Sequence, residues 1–419
     1  MKFDKWTVGL AAAGVVSLGS VAVADESPVT SLVSGTTLNG YVDTSAIYKP
    51  GVQSAAYRFV NTAPNTWNGF NFNVVDLSIE KALDESQWSA GYKADLWFGP
   101  QAAGLPGALS GNNFGVKQAY VALRAPLGNG LDIKVGQVDA IIGYEVLDSY
   151  ANPNYSRSLG FNLEPFSHTG MTATYQVAEW LSLVGGIADS AFNGTNVKET
   201  YNGSSDNGNI TSNGGAGNGT LTYMGAVTLK APESFGALKG SALYGGIVDN
   251  GLSGAPNTLN YYVGLSVPTP IKEITVGAAF DYLSNANGQG SWATAIAGYV
   301  SYQVSEKLKL NARGEFGKSD YNAWQIGPGL GDPVLGPSYS YTDGFVYTGS
   351  TRLFSTTVTL DYALWANVIT RLEVIWDHDL NGSDIFSSEY TTANESDVPV
   401  VVNGRNNSVL LAANIIYKF

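Results

Sequence analysis

The sequence contains no cysteine, only three methionines and only two histidines in 419 residues. Without thiols it can form neither a disulfide nor a thiolate metal site, and it has no cysteine nucleophile. His168 and His378 are the sole imidazoles, and neither has a nucleophile signature beside it in the chain, so most histidine-based catalytic and metal chemistry is excluded. Charged residues make up only 14% of the chain, and acids outnumber bases for a net charge of −13. Such an acidic balance argues against a nucleic-acid partner. Long apolar runs are also missing. After residue 24 no stretch approaches the ~20 consecutive apolar residues that a transmembrane helix requires.

At the N-terminus, Lys2 and Lys5 precede an apolar stretch from Thr7 to Ala24 that closes on Ala22-Val23-Ala24 before Asp25. A basic start, an apolar centre and a small-x-small end predict a secretory signal peptide over residues 1–24. A short periplasmic segment over 25–35 is expected next, then one domain over 36–419. Cleavage would remove Lys2, Asp4 and Lys5, leaving 20 basic and 34 acidic residues. An exported chain with no spanning helix is either soluble or a closed β-barrel, the other structure that satisfies its backbone inside lipid.

The C-terminus favours the barrel. Val409, Leu411, Ala413, Ile415, Tyr417 and Phe419 fall on alternate positions and run to the last residue. A period of two places them on one face of a strand, and an apolar stripe ending in an aromatic suits a lipid-facing strand. Tyr417 and Phe419 are accordingly the expected assembly signal for the barrel assembly machinery. Alternation recurs along the chain. Val75, Leu77 and Ile79 interleave with Asp76, Ser78 and Glu80, and Leu372, Val374 and Trp376 with Arg371, Glu373 and Asp377. The pattern predicts about sixteen strands, near 36–49, 68–82, 87–99, 114–126, 130–138, 168–178, 181–190, 219–231, 236–249, 257–267, 272–284, 291–304, 306–317, 351–364, 368–378 and 406–419.

Short connections such as 84–86, 127–129 and 179–180 alternate with longer ones such as 50–67, 100–113, 139–167, 191–218, 318–350 and 379–405. Short periplasmic turns and long external loops are the mark of an outer-membrane barrel. The 49 aromatics supply interfacial anchors. Trp88, Trp180 and Trp365 lie beside short turns and Trp376 lies near the opposite end, which predicts two aromatic girdles. The fold class is thus all-β, a transmembrane antiparallel up-and-down barrel in contact with outer-membrane lipid.

A sixteen-strand barrel is wide enough for water, so any narrowing must come from a loop. Segment 139–167 is the candidate. It carries Asp139, Glu145, Asp148 and Glu164 against a single base, Arg157, and it holds five aromatics that could pin it to a wall. Lys93, Arg124, Lys134, Arg313 and Arg371 have lumen-facing parity on strands. An acidic loop facing basic walls would set a transverse field across the pore. Gly215, Gly217 and Gly219 echo a phosphate-binding pattern, but no helix follows a strand there, so the motif lacks its context.

Several runs carry a family likeness: Gly40-Tyr41-Val42-Asp43-Thr44-Ser45, Asp76-Leu77-Ser78-Ile79-Glu80-Lys81, Ala94-Asp95-Leu96-Trp97-Phe98-Gly99, Lys134-Val135-Gly136-Gln137-Val138-Asp139 and Asn154-Tyr155-Ser156-Arg157-Ser158. Together these resemble the OmpL-like β-barrel porin family of Gram-negative bacteria, most densely over residues 36–190. The resemblance implies a water-filled diffusion channel for small hydrophilic solutes and ions, and it supplies no catalytic residue or cofactor. The position of the long loop after the fifth strand is similar to the constriction loop of trimeric general porins, which implies a homotrimer. Two alternatives stand beside the channel. One is a surface barrel acting as adhesin or receptor through loops 191–218, 318–350 and 379–405. The other is an outer-membrane hydrolase using His168 or His378. Asp377 and Asp379, on one face, are the pair nearest to a divalent-cation site. No metal or cofactor is expected.

Overall fold

The computed structural model describes residues 35–50, 68–105, 113–189, 221–249, 259–284, 292–320, 351–382, 389–393, 398–402 and 405–419. The expected signal peptide, most of the 25–35 segment, the 191–218 loop with its glycines, and most of 50–67 and 318–350 lie outside these residues.

Sixteen antiparallel strands close into one barrel. They are β1 (Thr36–Tyr48), β2 (Gly69–Lys81), β3 (Ser89–Phe98), β4 (Phe114–Ala125), β5 (Leu131–Asp139), β6 (Ser167–Ala178), β7 (Leu181–Ala188), β8 (Thr222–Lys230), β9 (Ala242–Asp249), β10 (Leu259–Pro268), β11 (Ile274–Ser284), β12 (Trp292–Gln303), β13 (Leu308–Ser319), β14 (Thr351–Trp365), β15 (Val368–Asp379) and β18 (Asn407–Lys418). Each pairs with its neighbours in sequence, except that β15 pairs with β18. The strands between them, β16 (Glu389–Ala393) and β17 (Val398–Val402), form a separate hairpin within the connection from β15 to β18. Sequence alternation does not anticipate this hairpin. It also starts β9 too early, because residues Glu233–Leu238 take 3-10 turns instead of joining the strand.

Closure occurs where β1 meets β18, in register from Tyr41 opposite Lys418 to Tyr48 opposite Leu411. The Phe419 amide donates to the Gly40 carbonyl, and the Gly40 amide donates back to the Phe419 carbonyl, both at 3.0 Å. A side chain at Gly40 would run into the Phe419 ring and the Asp76 carbonyl, so only glycine lets the last residue seat there. Closing the sheet leaves no unpaired edge, which is what lipid demands of a sheet.

The two faces differ as the alternation requires. Leu38, Val121, Val263, Ile296, Val358, Leu372 and Ile415 point outward and are exposed, whereas Asp43, Asp95, Asn311, Arg313, Glu373 and Asn414 are buried on the inner face. In water this outer surface would be a very large apolar patch, and in a bilayer it is solvated by acyl chains. Trp88, Trp180 and Trp365 are exposed beside short turns, and Trp376 is exposed near the other rim. No helix among the described residues is long and apolar enough to cross a membrane.

Candidate functional site

The inner face is not uniformly charged. β2–β5 and β13–β15 carry acids and bases at inward positions, while β6–β10 hold one carboxylate and one ammonium group, Asp249 and Lys230, at strand ends, with His168 near the start of β6. The bodies of β6–β10 present Thr172, Ser182, Met224, Thr228, Val248 and Tyr262 inward instead.

The connection between β5 and β6 lies inside the barrel, because it bonds to inward residues on opposite sides of it. Arg313 of β13 donates through Nη1 to Glu145 Oε1 and to the Ser156 carbonyl, each at 2.8 Å. Its Nη2 reaches Ser156 Oγ at 3.0 Å and the Arg157 carbonyl at 3.1 Å. The Glu145 carboxylate is further held by the Tyr299 hydroxyl at 3.1 Å and the Ser158 amide at 2.7 Å. Two β strands away, Glu373 of β15 accepts the amides of Tyr155 and Ser156 at 2.6 and 2.9 Å. Arg371, also of β15, donates to the carbonyls of Ser149 and Asn152 at 2.8 and 3.1 Å and pairs with Asp361 at 3.2 Å. Across the barrel, Lys117 of β4 meets Asp148 at 2.6 Å and Asp95 at 3.2 Å.

These bonds have a common logic. A loop in which 3-10 turns at Ser149–Ala151 and Gly160–Leu163 are the only regular structure leaves many backbone groups without ladder partners. Buried away from water, each unmet group would cost about 1–3 kcal/mol. The strand side chains Arg313, Arg371 and Glu373 meet those groups directly, as charge-assisted bonds.

Apolar contacts complete the docking. Tyr144 stacks on Tyr299 with ring centres 4.2 Å apart, and Tyr150 meets Tyr41 edge-on at 5.0 Å. Leu147, Phe161 and Phe166 pack with Tyr41, Val74 and Trp97, while Ile142 packs with Met224 and Val248. Gly246 and Gly277 on the wall make room: a Cβ at 246 would overlap Ile142, and one at 277 would overlap the Tyr144 hydroxyl.

Glu164 faces Asp281 of β11, a second acid, and the two carboxyls are hydrogen-bonded to each other. Burial, followed by the charge of Asp281, pushes Glu164 well above the usual carboxylate range. A carboxyl so placed keeps its proton and donates it to its neighbour.

The residues singled out by sequence fall into three groups. Glu145, Asp148, Arg313 and Arg371 come together at the loop–wall contact. Lys93, Lys134 and Asp139 sit on β3 and β5: Lys93 lies 3.6 Å from Asp95, Lys134 covers the Tyr120 ring at 4.8 Å, and Asp139 accepts from Gln118 at 2.8 Å. Arg157 and Arg124 stand apart. Arg157 is buried within the loop, where its guanidinium closes on the carbonyls of Tyr155 and Leu147 at 3.0 and 2.7 Å. Arg124 is paired with Asp132 at 2.6 Å and bonded to the Asp84 carbonyl, at the short-turn end. Its lumen-facing parity holds, but its partner is local.

Sequence reasoning missed Lys117, whose parity is opposite to that of Arg124. A bulge explains it. The β3–β4 register shifts between Asp95 and Leu96, leaving Lys117 unpaired in the ladder, so that Lys117 and Gln118 are both buried. Two successive long polar residues in an otherwise alternating strand were the available signal. Among the described residues no group of three or more acids or histidines is placed to hold a metal ion. His168 is buried in β6, and His378 stacks on Trp376 and meets Asn407 at 2.9 Å.

On the short-turn side of the loop lies a cavity of about 870 Å³. The loop forms its roof, and residues of β9, β10, β12–β15 and β18 with the β12–β13 and β14–β15 turns form its wall.

A closed barrel, apolar outside and polar within, with a long loop docked in its interior, defines an outer-membrane protein of the porin class. The family described as "Putative beta-barrel porin-2, OmpL-like" matches residues 35–419, and the chain belongs to it. No curated protein sequence matches the chain. Among solved structures it is similar to the anion-selective porin from Comamonas acidovorans, with TM-score 0.56 and 11% identity over 92% of this chain and 99% of that one. It is also similar to OprB of Pseudomonas putida, with TM-score 0.58 and 10% identity over 93% and 95% of the two chains. A third is the outer membrane channel DcaP of Acinetobacter baumannii, with TM-score 0.51 and 10% identity over 92% and 97%. At such identities these likenesses establish the shared fold.

Proposed function

We propose that the protein is a passive diffusion channel for small hydrophilic solutes and ions, and that loop 139–167 sets its narrowest section. The observation that carries the reading is the anchoring of that loop to inward residues on opposite walls, through Arg313, Arg371 and Glu373 on one side and Lys117 on the other. A segment tied at both sides of a lumen must share the cross-section with whatever passes. Charged groups beside it then act on solutes in a confined, partly dehydrated space. The test is single-channel recording in planar bilayers with the full protein and with a variant shortened within 146–156. Stepwise conductance that rises on shortening is expected. A folded barrel whose conductance is unchanged by the deletion would place the narrow section elsewhere.

The homotrimer is part of the same proposal. One barrel with TM-score 0.50 to this chain, OmpT of Vibrio cholerae, is described as a trimer form. Assembly is read from the last strand, where Tyr417 and Phe419 stack at 6.4 Å on the lipid face of the closing seam. Phe419→Ala should lower the heat-modifiable, folded fraction in outer membranes. Normal assembly of that variant would reduce the residue to packing.

A further inference from the structure

The outer face of the barrel carries one basic row at its long-loop rim. Lys318 of β13 is directly opposite Arg352 of β14. The Leu380 amide donates to the Arg352 carbonyl at 2.9 Å, which continues the row to the end of β15. The β15–β18 ladder pairs His378 with Asn407, and the Asp379 amide donates to the Asn406 carbonyl at 2.8 Å, so the next pair is Leu380 with Arg405. Arg352, Leu380 and Arg405 are exposed, and Lys318 shares the outward parity of Gly314 and Phe316. Three bases and a leucine thus occupy one outward row, in a chain whose net charge is −13. The next outward row below it is aromatic. Phe316 is opposite Phe354, and Phe354 meets Trp376 edge-on with ring centres 6.0 Å apart.

Like charges directly opposite each other on one face of a sheet repel and weaken the pairing. Among the described residues none of the three bases has a carboxylate within ion-pair distance. Lys318 extends toward the long-loop side, where its Nζ lies 5.3 Å from the centre of the Trp292 ring. Arg352 donates through Nε to the neutral Asn381 Oδ1 at 2.7 Å, which leaves its two terminal nitrogens to meet an anion. The acids at this stretch of rim sort differently. Asp320 has outward parity, and its Oδ1 accepts the Trp292 amide at 2.6 Å. Asp377 and Asp379 have the inward parity of β15, and Asp379 is buried. Among the described residues, three outward bases therefore stand against one outward acid here.

We propose that this row is a docking site for a phosphate-bearing lipid of the surrounding leaflet, with a phosphate between Lys318 and Arg352, the rest of an anionic headgroup toward Arg405, and the acyl chains descending over the aromatic row. An anion placed between two like charges turns their repulsion into two attractions. A guanidinium suits phosphate because its planar fork bonds two oxygens at once, and an ammonium follows as a mobile point charge. Long basic side chains can lie along apolar surface and hold their charged ends at headgroup level, just outside an aromatic girdle. Below the aromatic row Gly314 faces Gly298, and a Cβ at either would meet nothing within 4 Å, so the wall recedes where an acyl chain would lie. A lipid fits better than a free anion because the face below the bases is apolar and already covered by acyl chains. The site is on the outside of the barrel, so it stands whether or not the lumen conducts.

The experiment titrates the detergent-folded protein with lipid A, a diphosphorylated disaccharide lipid, and follows bound lipid by native mass spectrometry. The same lipid stripped of its phosphates is the comparison. Binding is expected to weaken about fivefold in each of Lys318→Gln and Arg352→Gln, the factor that one base near an anionic lipid surface supplies. Removing the phosphates should weaken it at least as much as the two substitutions together. Lys272→Gln, in the β10–β11 turn at the opposite rim, should leave it unchanged. Heat-modifiable migration on a gel confirms that each variant is a folded barrel. Equal binding of the two lipids, unchanged binding in the folded double variant, or an equal loss in Lys272→Gln would each overturn the proposal. Inorganic phosphate that displaces the lipid at an equal concentration would also overturn it, by showing that the site needs no lipid.

Discussion

The inner wall has two kinds of surface, and the loop meets each in its own way. Against β13–β15 it is held by directional bonds: Arg313 to Glu145 and Ser156, Glu373 to two consecutive amides, and Arg371 to two carbonyls. Against β8–β12 the bonds are fewer (Tyr299 to Glu145, Glu164 with Asp281, and Asn260 to the Leu163 carbonyl) and shape carries more of the contact, with Ile142 over Gly246, Tyr144 over Gly277, and Ile142 packed with Met224 and Val248. The first surface fixes the loop at defined points, because a charged group bonds only within a narrow range of distance and angle. The second fills volume and tolerates small displacements, because dispersion and water exclusion have no preferred direction. One loop thus has a side pinned chiefly by charged groups and a side seated chiefly by packing, and the middle segment at Asn154–Ser158 belongs to the first.

The largest test of this contrast is Arg313→Met. It leaves Glu145 buried without its partner, and removing one member of a buried pair costs about 3–5 kcal/mol. Amide exchange at residues 154–158 should accelerate sharply and single-channel conductance should increase. If exchange there stays slow, Glu373 alone pins the loop and the contrast is overdrawn. A smaller effect, about 1–3 kcal/mol of overpacking, is expected for Gly246→Val. Here the faster exchange should be confined to residues 140–144, with 154–158 unchanged. A response spread along the whole loop would show that the two surfaces are not independent.

The smallest effect concerns Glu164, which joins the loop to β11 through Asp281. Glu145 and Tyr144 of the loop and Tyr262 of β10 also face it. Its pKa in the docked state is raised by burial and by Asp281. The contact therefore contributes fully below the ordinary glutamate range, and the contribution is lost as pH rises through the raised value. The protection factors of amides near 160–165, exchange relative to the intrinsic base-catalysed rate, should fall with rising pH in the native protein and lose that dependence in Glu164→Gln. Loosening on acidification instead would mean the pair is held ionised.

Much of the architecture was legible because lipid imposes a strict code. Each strand had to alternate, so Leu372, Val374 and Trp376 could be set against Arg371, Glu373 and Asp377 without any knowledge of neighbours. All sixteen barrel strands follow from that rule to within a few residues at most ends. The rule failed where the backbone departs from period two. The bulge in β4 turned Lys117 inward against its parity, and the 3-10 turns at Glu233–Leu238 delayed β9.

The loop was legible in a different and weaker sense. Its length, acids and aromatics marked it as a candidate, but charge alone could not reveal which groups would be consumed by docking. Arg157 and Arg313 look alike as isolated bases on the page. One closes the loop upon itself, and the other holds it to the wall. Arg124, equally basic and correct in parity, is paired with Asp132 eight residues away.

By itself, then, the sequence determined the barrel, its strand order and its lipid-facing surface, because a period of two and the demand for paired backbone in a bilayer are local constraints that every strand satisfies alone. The tertiary structure alone decided where the loop sits, which charges are consumed in holding it, and where a cavity opens beneath it. Those depend on contacts between residues more than 200 positions apart, such as Asn154 with Thr359 and Tyr155 with Glu373, whose pairing no local pattern encodes.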